Sequence, residues 1–229
     1  MNSVVSFADS TGSYAQKMKR LENSLKDTGF NGAFVGFNST EIIGCKPHRG
    51  SGSIPYQFKP YAIKKASEHA DIVLWCDSVV YAKHNIHSVF EHIATHGYLF
   101  FDNIGFSLGD YTNDKTLDYF GISREEAWNI PMIMACVMGF DFNNEKVKQV
   151  FQEYLDLSET LYKGEWDNST RSESKDMRVR GHRHDQSIMS ALIWKYGLTI
   201  THAQSTYFSY EEHRKVMPIA PTVCLFSAG

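Results

Sequence analysis

Apolar and polar positions along this chain switch between two periods, and the switches mark out alternating strands and helices. Ser3 to Ala8 is a β-rich run. Asp9-Ser10-Thr11-Gly12-Ser13 then supplies turn and helix-cap chemistry, and a helix follows to about Asp27 with Tyr14, Met18, Leu21 and Leu25 on one face. Thr28-Gly29 ends it. Gly32 to Phe37 is a second short strand, so the chain opens as the strand–helix–strand of a right-handed α/β unit. Residues 38 to 55, rich in Gly, Ser, His and Lys, read as a loop, and Tyr56 to His69 predicts the next helix. That helix leads into Ala70-Asp71-Ile72-Val73-Leu74-Trp75-Cys76-Asp77. So continuous an apolar run predicts a strand covered on both faces, as in a parallel sheet, and it ends in an acid.

Beyond it the pattern predicts a helix from about His87 to His96 and a strand through Tyr98-Leu99-Phe100-Phe101. Residues 102 to 121 lack clean periodicity and hold three glycines and many aromatics, which reads as a long loop, functional or packed as a lid. Ser123-Arg124-Glu125-Glu126 caps a short helix, Met132 to Phe140 is a second apolar strand, and a helix follows from Asn143 to Leu161. Its core face is Val147, Val150, Phe151, Tyr154 and Leu161. The polar stretch from Gly164 to Gly181 has few apolar anchors and is expected to be mobile until a ligand closes it. Gly181-His182-Arg183-His184-Asp185-Gln186 then opens a helix through Ile188, Leu192 and Tyr196, and the last thirty residues hold strand fragments and a Pro218/Pro221 tail. The sum is an α/β domain with a mainly parallel central sheet flanked by helices.

Composition narrows the function classes. The 229 residues can bury a substantial core as one domain. With 23 basic against 26 acidic residues, the formal charge of −3 gives no reason to expect nucleic-acid binding. No apolar stretch approaches the ~18 residues of a membrane helix, and the N-terminus lacks the charged and apolar segments of a signal peptide. The four cysteines, Cys45, Cys76, Cys136 and Cys224, have no paired spacing and read as small buried hydrophobes of a reducing compartment, so a cytoplasmic location is expected.

The candidate chemistry begins with Asp77. In open α/β sheets ligands sit outside the carboxyl ends of the strands, where an acid can hold a metal ion or a sugar hydroxyl. Asp77-Ser78 is not followed by a glycine-rich phosphate cradle, so bound phosphates need a metal or side chains. Asp9 lies at the same sheet edge if both strands are parallel, although it is equally an N-cap. His182 to Gln186 places five hydrogen-bonding side chains at a helix start, where anions are favoured. Lys59-Pro60-Tyr61 puts proline and a lysine in an opening helical turn. The histidines at 84, 87, 92 and 96 straddle faces of a short helix and form no zinc pattern.

Taken in order, the strand before Asp9, Tyr56-Gln57-Phe58-Lys59-Pro60-Tyr61-Ala62-Ile63, Val73-Leu74-Trp75-Cys76-Asp77-Ser78 and Arg183-His184-Asp185-Gln186-Ser187 resemble the small GT-A-fold glycosyltransferases of viral and bacterial polysaccharide pathways. The resemblance spans about residues 3 to 210 and makes the whole chain one GT-A-like domain: a nucleotide-binding half over 1–80, an acceptor and sugar half over 81–210, and a tail over 211–229. Gly105 to Thr112 also looks like an acceptor-side segment of such proteins. The resemblance implies a hexosyltransferase-type enzyme using a nucleotide-diphosphate sugar, most often a UDP-sugar, a glycan or other hydroxyl acceptor, and manganese or magnesium. Its D-x-D motif falls on Asp77-Ser78-Val79, where Val79 replaces the second acid, so Asp77 is left as the metal ligand or the donor binds without metal. By the same analogy Phe7, Ala8, Asp9 and Tyr14 surround the nucleoside, Lys59 approaches its base or phosphates, Ser78 accompanies Asp77, and His184 and Asp185 lie near the sugar. If the reaction inverts the anomeric centre, a carboxylate takes the acceptor's proton; Asp185 is the first choice and Asp141 the second. Two readings compete: a non-catalytic nucleotide- or carbohydrate-binding module, suggested by Val79, and a metal-dependent phosphoesterase built on Asp9, Asp77 and histidines.

Overall fold

A computed structural model describes residues 1–9, 12–162, 174–203, 206–211 and 220–227. In chain order the elements are β1 (Asn2–Phe7), α1 (Tyr14–Asp27), β2 (Ala33–Phe37), α2 (Thr40–Ile43), α3 (Phe58–Ser67), β3 (Ile72–Cys76), β4 (Val80–Ala82) and α4 (His87–His96). Then come β5 (Tyr98–Ser107), α5 (Asp114–Phe120), α6 (Arg124–Ala127), β6 (Pro131–Asp141), α7 (Glu145–Ser158), α8 (His184–Lys195), β7 (Phe208–Tyr210) and β8 (Leu225–Ser227). Among the described residues no helix is long and apolar enough to cross a membrane.

The central sheet has five strands in the order β2-β1-β3-β6-β5. β1 pairs in parallel with β2 and β3, whereas β6 runs antiparallel between β3 and β5. The sheet is therefore mixed: one reversed strand is set among strands that share a direction. β3 occupies its middle, as its unbroken apolar run required. Alternation along β1 and β3 divides the core, because successive side chains leave opposite faces. Val5, Val73 and Trp75 join a cluster with Phe58, Tyr154 and Ile188. Val4, Leu74 and Cys76 join Leu21, Leu25, Val89 and Phe90 on the other side. A second, three-stranded sheet, β4-β8-β7, brings the C-terminal residues back against the segment that follows Asp77.

One expectation changes. Residues 102–121 are not one long loop: β5 continues to Ser107 and α5 occupies Asp114–Phe120, with Asn113 as its side-chain cap. The strand's register against β6 slips between Phe100 and Phe101 and again between Asp102 and Ser107, which erases the two-residue period. The first slip has a consequence for the site. Phe100 faces Met138 but Phe101 faces Met134, so residues 135–137 of β6 are looped out of that pairing. On its other edge β6 keeps its pairing with β3, where the Cys136 carbonyl accepts from the Asp77 amide at 2.8 Å.

Candidate active site

Because β1 and β3 are parallel neighbours, Asp9 and Asp77 emerge at the same edge of the sheet. Between them lies Lys59, carried by α3. Pro60 is tolerated there because the first turn of a helix leaves its amides without internal partners. Phe58, Lys59, Pro60, Ala62 and Ile63 all face inward. That burial forces the Lys59 ammonium to find partners inside the protein. It donates to the Ala135 carbonyl at 2.9 Å, the bulged segment of β6. It also stands 2.7 Å from Asp185 Oδ2 and 3.1 Å from Asp77 Oδ1. The indole of Trp75 donates to Asp77 Oδ1 at 2.8 Å, fixing the carboxylate from the core side.

Charge governs this cluster. Burial alone would lower the Lys59 pKa, but the Asp185 and Asp77 carboxylates outweigh it and hold it well above its ordinary value. Burial likewise raises Asp185 above the usual carboxylate range, while Lys59 pulls the other way. The Lys59–Asp185 contact is a charge pair more than an aligned hydrogen bond, since Oδ2 accepts none of good geometry.

α8 delivers Asp185. The helix is buried along almost its whole length, and it docks on β6 through its own polar side chains. Gln186 Nε2 donates to the Ile133 carbonyl at 2.6 Å, and Ser190 Oγ accepts from the Ile133 amide at 3.0 Å. The helix is entered through His184 at φ +34°, and α3 is preceded by Tyr56 at φ +60°. These are the only non-glycine residues with positive φ among the described residues, and their rings lie 6.0 Å apart beside the cluster. Left-handed backbone at bulky residues costs about 1–3 kcal/mol and concentrates where geometry serves function.

Two cavities meet at this point, sharing Tyr56, Lys59 and Asp77. One, of about 270 Å³, is walled by Phe7, Ala8, Asp9, Tyr14, His48, Arg49, Phe58, Ser78 and Val79. Phe7 and Phe58 stack within it at 4.4 Å. The His48 ring accepts the Tyr56 amide at Nδ1, 3.0 Å away, and burial next to Arg49 pushes its pKa down to about 3. His48 is thus a neutral wall. The other cavity, of about 210 Å³, is lined by Asn103, Ala135, Cys136, Arg183, Asp185, Gln186 and Tyr210. It continues through Asn103, Met134, Arg183 and Tyr210 into a third, of about 310 Å³, bounded by Asp102, Ile104, Phe106 and Phe208. The Arg183 guanidinium carbon stands 3.7 Å from the centroid of the Tyr111 ring.

The structure therefore brings together Phe7, Ala8, Asp9, Tyr14, Lys59, Asp77 and Ser78 around one cavity and places Asp185 in the next. It does not bring His184 to either: that ring is buried behind Tyr56, with His182 at 5.1 Å. Asp141 is a correction. β6 runs against β3 and pairs Asp141 with Ile72, at the far end of the strand from Asp77. At ~3.3 Å per residue this is about 16 Å away, too far to act at the same centre. Its carboxylate instead caps the next turn through the Asn143 amide. The expectation rested on Asp141 following the apolar Met132–Phe140 strand, and the reversal of β6 puts that strand end at the opposite edge of the sheet. The expected closing segment, Gly164 to Gly181, has residues 164–173 outside the described ones. The sequence pattern assigns no site role to Tyr56, His48, Arg49, Cys136, Asn103 or Tyr210, all of which line the cavities. The basic, glycine-rich Lys46-Pro47-His48-Arg49-Gly50 was the available signal for two of them.

Val79 presents no acid, and its carbonyl accepts from Arg20 at 2.7 Å. Asp77 Oδ1 is occupied by Lys59 and Trp75. No group of three His, Cys, Asp or Glu side chains among the described residues could hold an ion. These residues do not fit a D-x-D metal site.

No protein-family model matches the sequence, and no curated protein matches it significantly. Solved structures do. Mouse xyloside xylosyltransferase 1 in its apo form superposes at a TM-score of 0.59 with 11% identity, covering 100% of this chain and 98% of that one. A glycosyltransferase involved in glycosylating the major capsid of PBCV-1 gives 0.53 with 13% identity over 99% and 92% of the two chains. The WbbM bifunctional glycosyltransferase in its apo form gives 0.54 with 10% identity over 99% of this chain and 45% of that one. Edge acids, mixed sheet and neighbours agree: the chain has the GT-A-like glycosyltransferase fold.

Proposed function

We propose that this chain is a glycosyltransferase that takes a sugar from a nucleoside-diphosphate donor, a UDP-sugar in the first instance, and passes it to a hydroxyl of a glycan or glycoconjugate. The observation that carries the proposal is the meeting of two cavities on the Asp77–Lys59–Asp185 cluster at the carboxyl ends of β1 and β3. The cavity walled by Phe7, Phe58 and Tyr14 suits a base and ribose, and Asp9 stands where a ribose hydroxyl can be accepted. The polar cavity around Asp185 and Gln186 suits the donor sugar, and the third cavity suits the acceptor.

In this reading Lys59 and the flanking Arg49 and Arg183 meet the charge that gathers on the departing diphosphate. Asp77 keeps Lys59 in place. In an inverting reaction Asp185 takes the acceptor hydroxyl's proton; burial raises its carboxyl in the direction a base needs, and Lys59 opposes its neutralisation. A metal-dependent phosphoesterase finds no matching ligand cluster among the described residues.

Calorimetric titration with UDP, GDP, ADP and CMP tests the donor site. UDP is expected to bind, and Phe58→Ala, which removes one wall, to weaken it about tenfold or more. Wild-type protein that binds no nucleotide at millimolar concentration contradicts the proposal. Binding without any sugar transfer or release from nucleotide-sugars would make the chain a binding module instead.

A further inference from the structure

We infer that this chain binds its nucleoside-diphosphate donor without a divalent metal ion, because Lys59 already supplies the positive charge on Asp77 that an ion would otherwise bring. The inference rests on the donor-site reading above and concerns how that site is charged.

The first observation is the carboxylate itself. Asp77 Oδ1 receives the Lys59 ammonium at 3.1 Å and the Trp75 indole at 2.8 Å. An ion approaching that carboxylate must come close to a buried ammonium that cannot swing away, since the Ala135 carbonyl and Asp185 hold it from other sides. Two like charges in a partly buried site repel strongly. The second observation is the missing partner. Two carboxylates can offset a divalent ion; here Val79 stands in the second place, half-buried at the cavity wall, with its carbonyl held by Arg20.

The third observation is the balance of charge around the joined cavities. Arg49, Lys59 and Arg183 line them, set against Asp9, Asp77 and Asp185, and His48 is neutral. A cleft with a cation for each carboxylate reaches neutrality from its own side chains. Arg49 on one side of Lys59 and Arg183 on the other are the cations placed to meet a diphosphate in that cleft. Arg183 is held for this over the Tyr111 ring, a contact that does not neutralise its charge.

The test is a calorimetric titration of the wild-type protein with UDP, run in EDTA and in millimolar manganese, beside a titration with manganese alone. The expected result is a dissociation constant that agrees within about threefold between the two buffers, with no heat from manganese alone. Binding that weakens by about tenfold or more in EDTA overturns the inference while leaving the donor site standing. Absence of UDP binding in both buffers removes the donor reading and the inference with it. Val79→Asp supplies the converse arm. Restoring a second carboxylate is expected to create a manganese response in nucleotide binding, and a variant as indifferent to manganese as the wild type overturns the ligand-set argument.

Discussion

Removing the Lys59 ammonium while keeping its stem, as in Lys59→Met, should destabilise the fold in a way that depends on pH. The substitution leaves Asp185 buried beside an apolar side chain and Asp77 facing it. Breaking a buried ion pair from one side costs about 3–5 kcal/mol, because the remaining charge is uncompensated. The Asp77 side chain is 31% exposed, so water takes up part of its loss, and Asp185, at 4%, carries most of the effect. In a domain of this size each kcal/mol moves the midpoint by about 2–4 °C, so a fall of about 6–20 °C is expected at neutral pH. The sign with pH follows from linkage. Asp185 is already raised above its unfolded value by burial, and loss of Lys59 raises it further. The folded variant then binds more protons than the unfolded chain, so its stability is retained below the unfolded pKa and lost as pH rises through the folded one. Thermal unfolding followed by near-UV circular dichroism at pH 5 and pH 8 reads this directly. The deficit against wild type should be smaller at pH 5, and adding Asp185→Asn to Lys59→Met should recover a large part of it. A fall of less than about 2 °C, or a deficit that grows on acidification, refutes the reasoning.

Three further outcomes are expected. Asp185→Asn should keep UDP affinity within about threefold of wild type yet reduce transfer by about a hundredfold or more, since a base acts on the acceptor's proton; equal loss of binding and turnover would make it a donor ligand. His182 is held by burial near a pKa of about 3, against an unfolded value near 6.5, and its ring contacts the Asn113 amide and the Leu161 carbonyl. The unfolded chain therefore takes up the extra proton, stability present above about pH 6.5 drains away toward pH 3, and His182→Gln should unfold less steeply with acid; identical acid limbs in urea titrations would refute this. At Gly139 an added methyl would meet Ile93 Cδ1 at 2.5 Å, so Gly139→Ala should cost about 1–3 kcal/mol by forcing α4 off the sheet, and an unchanged urea midpoint would contradict that packing.

What the sequence revealed and what it hid have separate physical origins. The strand ending in Asp77 was legible because burial on both faces demands an unbroken apolar run, and its central place in the sheet follows. The helix opening on His184 and Asp185 was legible from its density of polar groups before an apolar stretch. Strand direction left no such mark. β6 reads the same whether parallel or antiparallel, which is why Asp141 was misplaced. The register slips in β5 hid a strand inside an aromatic-rich segment, because alternation is the only local signal a strand gives. Lys59 showed the limit most clearly. As a lysine beside a proline it suggests solvent, and only the tertiary structure, with Ala135, Asp77 and Asp185 converging from three other elements, turns it into the centre of a site.

The central claim is that the cleft around Lys59 moves a sugar from a nucleotide, and one measurement tests it most directly. Purified wild-type protein and Asp77→Asn would be incubated with a panel of UDP-sugars, with and without glycan acceptors, and free UDP would be quantified. The account predicts UDP release by the wild type from at least one donor, faster with an acceptor present, and loss of that release in Asp77→Asn, whose thermal midpoint remains close to wild type. Release undiminished in a folded Asp77→Asn protein, or no release by the wild type from any sugar nucleotide it binds, would contradict it.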